Sequence, residues 1–219
     1  MLKPTKALSH TQLKFLESFD NSQLIENFYL SGGTALCGFY IPYRKSEDLD
    51  FFSIKEFNEQ DIIIWIKSVK PFLKFNTFDI QKSFNRNLIF LEFKSETLKT
   101  EFTYFPFISK KLEKYKNISI DSIEDIAMNK LFTIYQNPRL RDFMDLYMII
   151  NTVTIPFDKI RRDAKVKFDW DIDPIQLGSQ LLKVEEKKDQ PMLLDGFNYQ
   201  TMIKYFLKVA SSLKRDILK

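Results

Sequence analysis

Two successive glycines, Gly32-Gly33, constrain this chain more than any other feature, because of what stands on either side of them. Asn27 to Ser31 (Asn-Phe-Tyr-Leu-Ser) is a compact aromatic and aliphatic run that reads as a buried strand. Thr34 to Ile41 reads as a short helix stopped before Pro42. A strand passing into a helix through glycines lets backbone N–H groups approach a phosphate, and the helix N-terminus adds partial positive charge. A second strand follows at about Leu49 to Ile54, opening with Asp48-Leu-Asp-Phe-Phe52. Side chains alternate along a strand, so Asp48 and Asp50 share one side while Leu49 and Phe51 point into the core. Two carboxylates held close on a rigid strand repel each other unless a cation neutralises them, and hard divalent metals take such oxygen ligands together with substrate phosphates. Alone, an Asp-x-Asp pair is more often a solvated turn, and a Gly-Gly-Thr more often a plain turn. The order strand, Gly-Gly-Thr, helix, loop, Asp-x-Asp strand is far more specific.

The rest of the chain predicts an α+β (α/β) fold, sheet first and helices later. A helix is expected up to Asp20 (Leu8, Phe15, Leu16, Phe19) and another from Asn58 to Leu73, ending near Pro71. Three strand-like runs follow, Lys74 to Lys82, Asn87 to Phe93 and Leu98 to Phe105, then a basic connector with Lys110, Lys111, Lys114 and Lys116. Beyond about residue 120 the apolar period becomes helical: Ile123, Ile126, Ala127, Lys130, Leu131 and Ile134, with Ser122 as a candidate N-cap, then Leu140, Phe143, Leu146, Tyr147 and Ile150. Further helical segments begin at Pro156 and Asp173-Pro174, and a last one spans Asn198 to Leu218. The expected division is a mixed-sheet core over 1–117 and a helical region over 118–219.

Composition removes several functional classes. A lone cysteine, Cys37, excludes an internal disulfide and a cysteine zinc site and fits a reducing cytoplasm. His10 is the sole histidine and lies near an end, so Ser-His-Asp or Cys-His chemistry is not expected. No P-loop or Gly-x-Gly-x-x-Gly fingerprint occurs. No signal-peptide core and no stretch near the ~18 apolar residues of a membrane span is visible, so no membrane partner is expected. The net charge of +4 tolerates an anionic partner without demanding one.

Leu30-Ser-Gly-Gly-Thr-Ala-Leu36 followed by Arg44-Lys-Ser-Glu-Asp-Leu-Asp-Phe-Phe52 resembles the AbiEii/AbiGii toxin family within the DNA polymerase β-like nucleotidyltransferases. Ser122-Ile-Glu-Asp-Ile-Ala-Met-Asn-Lys-Leu131 and Arg141-Asp-Phe-Met-Asp-Leu-Tyr147 look like that family's second motif, so the resemblance spans roughly 28 to 150. It implies transfer of a nucleoside monophosphate from an NTP (GTP or a pyrimidine NTP) to a hydroxyl, such as a tRNA 3′ end or another RNA. It also implies a toxin of a toxin–antitoxin or phage-defence system, with an antitoxin protein as partner.

Carried over residue by residue, Gly32, Gly33 and Thr34 would hold the phosphates with Ser46 nearby, and Asp48 and Asp50 would bind Mg2+ or Mn2+. Lys130 would reach the triphosphate from the helical region, and Asp142 would be its functional carboxylate, leaving Asp145 a structural partner. The fold also implies a third metal-side carboxylate. Glu101 resembles that position, with Asp79 and Glu92 as rivals. The bland alternatives are a snorkelling Lys130 and an Asp142 or Asp145 merely paired with Arg139 or Arg141. For the whole chain, the alternatives are a degenerate nucleotide- or partner-binding module and a protein-modifying NMP transferase.

Overall fold

Aromatic side chains decide where the core of the sheet half lies. Phe15 and Phe19 sit on the inner face of α1 (His10–Asp20), whose first turn is closed by a capping box between Ser9 and Gln12. Trp65 lies on α3 (Glu59–Leu73), capped by Asn58. Both helices lay their rings against Phe51 and Phe102 of two neighbouring strands: Phe19 to Phe51 at 4.4 Å, Phe51 stacked on Phe102 at 5.1 Å, and Trp65 edge-on to Phe15 at 5.3 Å. Phe15, Phe19, Phe51 and Phe102 are fully buried.

In this computed structural model residues 1–108 and 110–213 are described. The chain divides into two units, Met1–Ser122 and Ile123–Lys219. Among the described residues, the first unit carries one mixed sheet of seven strands in the order β3-β4-β5-β2-β1-β7-β6. The strands are β1 (Tyr29–Ser31), β2 (Leu49–Ser53), β3 (Thr77–Ser83), β4 (Arg86–Glu92), β5 (Thr97–Tyr104), β6 (Glu113–Tyr115) and β7 (Ile118–Ile120). β1 runs antiparallel to β2, and β2 runs parallel to β5. The strands meeting Phe51 are thus the ones that carry the acidic residues on their opposite face.

Three local expectations change. The lysine-rich connector contains β6 and β7, and β7 pairs parallel with β1, so the first unit runs to Ser122 rather than to 117. α2 (Gly32–Phe39) begins at the glycine pair itself, with Gly32 at φ +70. α3 continues past Pro71 to Leu73, although Pro71 has no N–H to offer the Lys67 carbonyl, and Lys74 ends it at φ +63 with its N–H on the Lys70 carbonyl.

The second unit is helical: α4 (Ile123–Gln136), α5 (Leu140–Val153), α6 (Phe157–Phe168), α7 (Pro174–Leu182) and α8 (Tyr199–Ser212). α4 packs on α5, α6 and α7, and α7 on α8. Phe143 meets Phe206 edge-on at 5.2 Å, and Phe132 stacks on Phe168 at 4.1 Å. Asn198 caps α8, whose expected continuation over 214–218 lies outside the described residues. Among the described residues no helix is long and apolar enough to cross a membrane.

Because the rings of Phe15, Phe19 and Phe102 converge on Phe51, F51A is expected to destabilise the first unit by about 3–5 kcal/mol, whereas F84S, at a fully exposed hairpin tip, changes stability by less than about 0.5 kcal/mol. Denaturant unfolding followed through the fluorescence of Trp65 checks both.

Candidate active site

The face of the sheet opposite the aromatic core carries the charges. β2 alternates buried Leu49, Phe51 and Ser53 with part-exposed Asp50 and Phe52, and Asp48 continues the polar side one residue before the strand. Register places Ser31 of β1 and Glu101 of β5 on either side of Asp50. Neighbours in register share a face, so Asp50 and Glu101 stand side by side. Asp79 pairs with Phe90 two strands farther out and is exposed, while Glu92 lies opposite Thr97 and takes its hydroxyl at 2.8 Å. Of the acidic residues weighed for a third position, only Glu101 adjoins the pair.

The glycine turn is built against this face. A side chain on Gly32 would overlap the Asp50 carboxylate, and φ +70 disfavours any L residue there. A Cβ on Gly33 would come within 2.6 Å of the Arg44 Nη2 and 2.9 Å of the Ser46 hydroxyl. Arg44 is buried, its Nη1 donating to the Lys45 carbonyl at 2.8 Å and its Nε to the Tyr43 hydroxyl at 3.2 Å. Thr34 is also buried and donates its hydroxyl to the Asp48 carbonyl, tying α2 to the acidic strand. Gln12 braces the intervening loop, its amide donating to the carbonyls of Ser46 at 2.8 Å and Glu47 at 3.2 Å. The N-terminus of α2, a buried guanidinium and two aspartates therefore surround one turn.

Basic side chains compensate the acids. Lys99 lies one step along from the Leu49–Thr100 register pair and meets Asp48 at 2.8 Å. Arg86 of β4 grips Glu101 with two parallel bonds, Nε to Oε1 at 2.7 Å and Nη2 to Oε2 at 2.5 Å. Thr103 adds a third donor to Oε1 at 2.6 Å. Burial pushes the Glu101 carboxyl up, but the hydrogen bonds from Arg86 and Thr103 and the charges of Arg86 and Lys99 outweigh it and hold its pKa below the usual carboxylate range. Arg86 is raised in turn, chiefly by its bond to Glu101, with Asp50 and Asp48 contributing through space. Neither basic residue stood out in the sequence, because isolated cations on strands look like solvated surface.

The donor chemistry of Asp48, Asp50 and Glu101 suits a hard divalent ion, since all three are carboxylates on one face and Asp50 touches the glycine turn. Among the described residues, however, no three His, Cys, Asp or Glu groups stand gathered for a metal as they are. Asp48 and Glu101 each hold a cation instead. Admitting an ion at Glu101 requires exchange with Arg86.

Lys130 and Asp142 lie buried in the helical unit, in a cluster whose outer member, Arg139, is half exposed. The Lys130 ammonium meets Asp142 at 2.9 Å and Asp145 at 2.6 Å. Arg139 reaches Asp142 through Nε at 3.0 Å and Nη2 at 3.2 Å, and its backbone N–H bonds the same carboxylate at 3.2 Å. Lys130 divides itself between both aspartates, so the geometry draws no line between a functional Asp142 and a structural Asp145. Burial raises Asp142, yet Lys130 and Arg139 together leave its pKa lowered.

Residues 14–211 match the family described as nucleotidyl transferase AbiEii toxin, type IV toxin–antitoxin system. Among curated proteins none matches the chain. Among solved structures, JHP933 from Helicobacter pylori is similar at 21% identity and a TM-score of 0.60, covering 98% of this chain and 94% of that one. A presumed nucleotidyltransferase from Helicobacter pylori is similar at 20% identity and a TM-score of 0.57, covering 97% of this chain and 99% of that one. These likenesses establish a shared nucleotidyltransferase fold.

Replacing Lys130 by methionine leaves two buried carboxylates without their shared cation, and K130M is expected to cost about 3–5 kcal/mol at neutral pH. The sign with pH follows from Asp142. Its folded pKa is depressed, so its pairing stabilises the native chain above the unfolded value of about 3.9 and is lost as pH falls through the folded value. In K130M the carboxylates protonate more readily, so the deficit relative to wild type shrinks on acidification. Unfolding midpoints measured from pH 7 to pH 4 check this; a deficit that grows toward acid contradicts it.

Proposed function

The chain belongs to the AbiEii toxin family of nucleotidyl transferases, and from that membership we propose that it moves a nucleoside monophosphate from an NTP to a hydroxyl acceptor with the help of a divalent ion. The observation that carries the reading is the packing of the Asp50 carboxylate against Gly32, at the N-terminus of α2 and beside Glu101. A helix start favours an acid and a phosphate alike, and the two anions repel each other once both are there. A divalent ion between the two resolves the conflict.

In this reading Asp48 and Asp50 hold Mg2+ or Mn2+, with Glu101 as the third ligand. The ion supplies charge neutralisation for the triphosphate and the departing pyrophosphate. The N–H groups at Gly33 and Thr34 receive phosphate oxygens, the Ser46 hydroxyl stands beside them, and the buried Arg44 guanidinium adds positive potential behind Gly33. The acceptor hydroxyl gives its proton to water, its oxygen forms a bond to the α-phosphorus while the bond to the β-phosphate bridge breaks, and pyrophosphate leaves with that electron pair. Against the upward push of burial, the Arg86 and Thr103 hydrogen bonds lower the Glu101 pKa and make it a weaker base, better suited to holding charge than to removing a proton. RNA, including a tRNA 3′ end, is the acceptor class we favour. The family description supports a toxin of a toxin–antitoxin system as the setting, and our reading adds an antitoxin protein as partner and the cytoplasm as its place.

The test offers labelled ATP, GTP, CTP and UTP with Mg2+ or Mn2+ to the full chain, with total RNA and with protein acceptors. Label in RNA is expected from one NTP or a subset of them. D48N and D50N should each lower it by at least about 100-fold, the scale of lost preorganised charge stabilisation, with unchanged unfolding midpoints. Label in protein redirects the acceptor. No label from any NTP, with both acceptors present, overturns transferase activity in favour of a binding module.

A further inference from the structure

Glu101 is more enclosed than Asp48 or Asp50, its side chain only 6% exposed, yet its partner Arg86 is 48% exposed. Both carboxylate oxygens are in use: Oε1 accepts from Arg86 Nε and Thr103, and Oε2 from Arg86 Nη2. A guanidinium and a divalent ion cannot share that fork, since an ion seated at about 2.0–2.1 Å from the oxygen would press two cations together. The guanidinium alone can yield. Thr103 is neutral and sits on the same strand, whereas Arg86 reaches across from the neighbouring strand β4 with half of its side chain in solvent. Released, it remains tethered beside Asp50 and Asp48, whose charges already act on it.

We propose that Arg86 is the resident counter-cation of Glu101, displaced when a divalent ion binds, and that the displaced guanidinium then takes a phosphate oxygen of the nucleotide. This rests on the metal-dependent reading above and assigns Arg86 a positioning role in it. One side chain neutralises the acidic face while it lacks its ion and then turns the same charge toward the substrate. Guanidinium suits both partners because its planar fork matches carboxylate and phosphate alike. Lys99 on Asp48 is the weaker counterpart, a point charge on a single oxygen at 2.8 Å.

The test is equilibrium binding rather than turnover. Free Mn2+ is titrated by electron paramagnetic resonance against the full chain as wild type, R86Q, R86K and D50N. A nonhydrolysable NTP analogue is then titrated at saturating Mn2+. R86Q is expected to bind Mn2+ about tenfold more tightly than wild type, since the competitor is gone, and to bind the analogue about tenfold more weakly. R86K, which keeps a charge but loses the fork, should fall between them in both titrations and stays informative if R86Q folds poorly. Mn2+ affinity abolished in D50N but unchanged in R86Q and R86K overturns the Arg86 proposal alone. Equal, negligible Mn2+ affinity in wild type and D50N overturns the metal reading and this proposal with it. Tighter Mn2+ with unchanged analogue affinity overturns the assignment of Arg86 to the nucleotide.

Discussion

Like charges on one rigid surface must be compensated, and most of the first unit is arranged around that requirement. Asp50 and Glu101 are register neighbours on parallel strands, and Asp48 precedes them on the same side. A sheet cannot splay them apart, because moving any one by a residue would turn its side chain into the aromatic core. The compensation therefore has to come from side chains that reach inward over the face: Lys99 onto Asp48 and Arg86 onto Glu101. The opposite face needs no such device. Phe51 and Phe102 stack there at 5.1 Å beneath α1 and α3, and that hydrophobic layer holds the acids in register.

How much of this was legible depended on how local each signal was. Asp48, Asp50 and the glycine pair could be read directly, since alternation on one strand and a strand-to-helix turn are properties of short segments. Glu101 could only be weighed against Asp79 and Glu92. All three are acids on strands, and what separates them is the parallel pairing of β2 with β5 across an intervening helix and hairpin. Arg86 was invisible for the same reason: it is opposite Thr103 in register and reaches Glu101 only diagonally. β6 and β7 were hidden because each has three residues and the segment is rich in lysine, a composition that edge strands favour and that reads as a solvated loop. Recognising β7 would have moved the expected boundary from 117 to Ser122.

Arg44 is a different kind of omission. It belongs to the sequence motif around the acidic strand, yet nothing in its residue type suggests that it is among the largest fully buried side chains. Gly33 explains the burial. With no Cβ at that position, the guanidinium can close on the turn, and the carbonyl of Lys45 and the hydroxyl of Tyr43 receive its hydrogens. A glycine thus matters here for the cation it admits as well as for the turn it permits.

Both units contain an acid–base cluster, and their exposure separates what each can do. The Lys130, Asp142 and Asp145 side chains are at most 9% exposed, so exchanging Lys130 would require opening the helices that enclose it, whereas Arg139 on the same Asp142 is 49% exposed. Such a cluster contributes specificity of packing and resists substitution by a diffusing ion. The Arg86–Glu101 pair combines a buried acid with a half-exposed base, so the base can leave by rotating its own side chain into water. Strength on the acid's side comes from burial, and exchangeability comes from the base. That asymmetry lets the charged face change partners, while at Asp142 the enclosed Lys130 stays in place when the half-exposed Arg139 turns away.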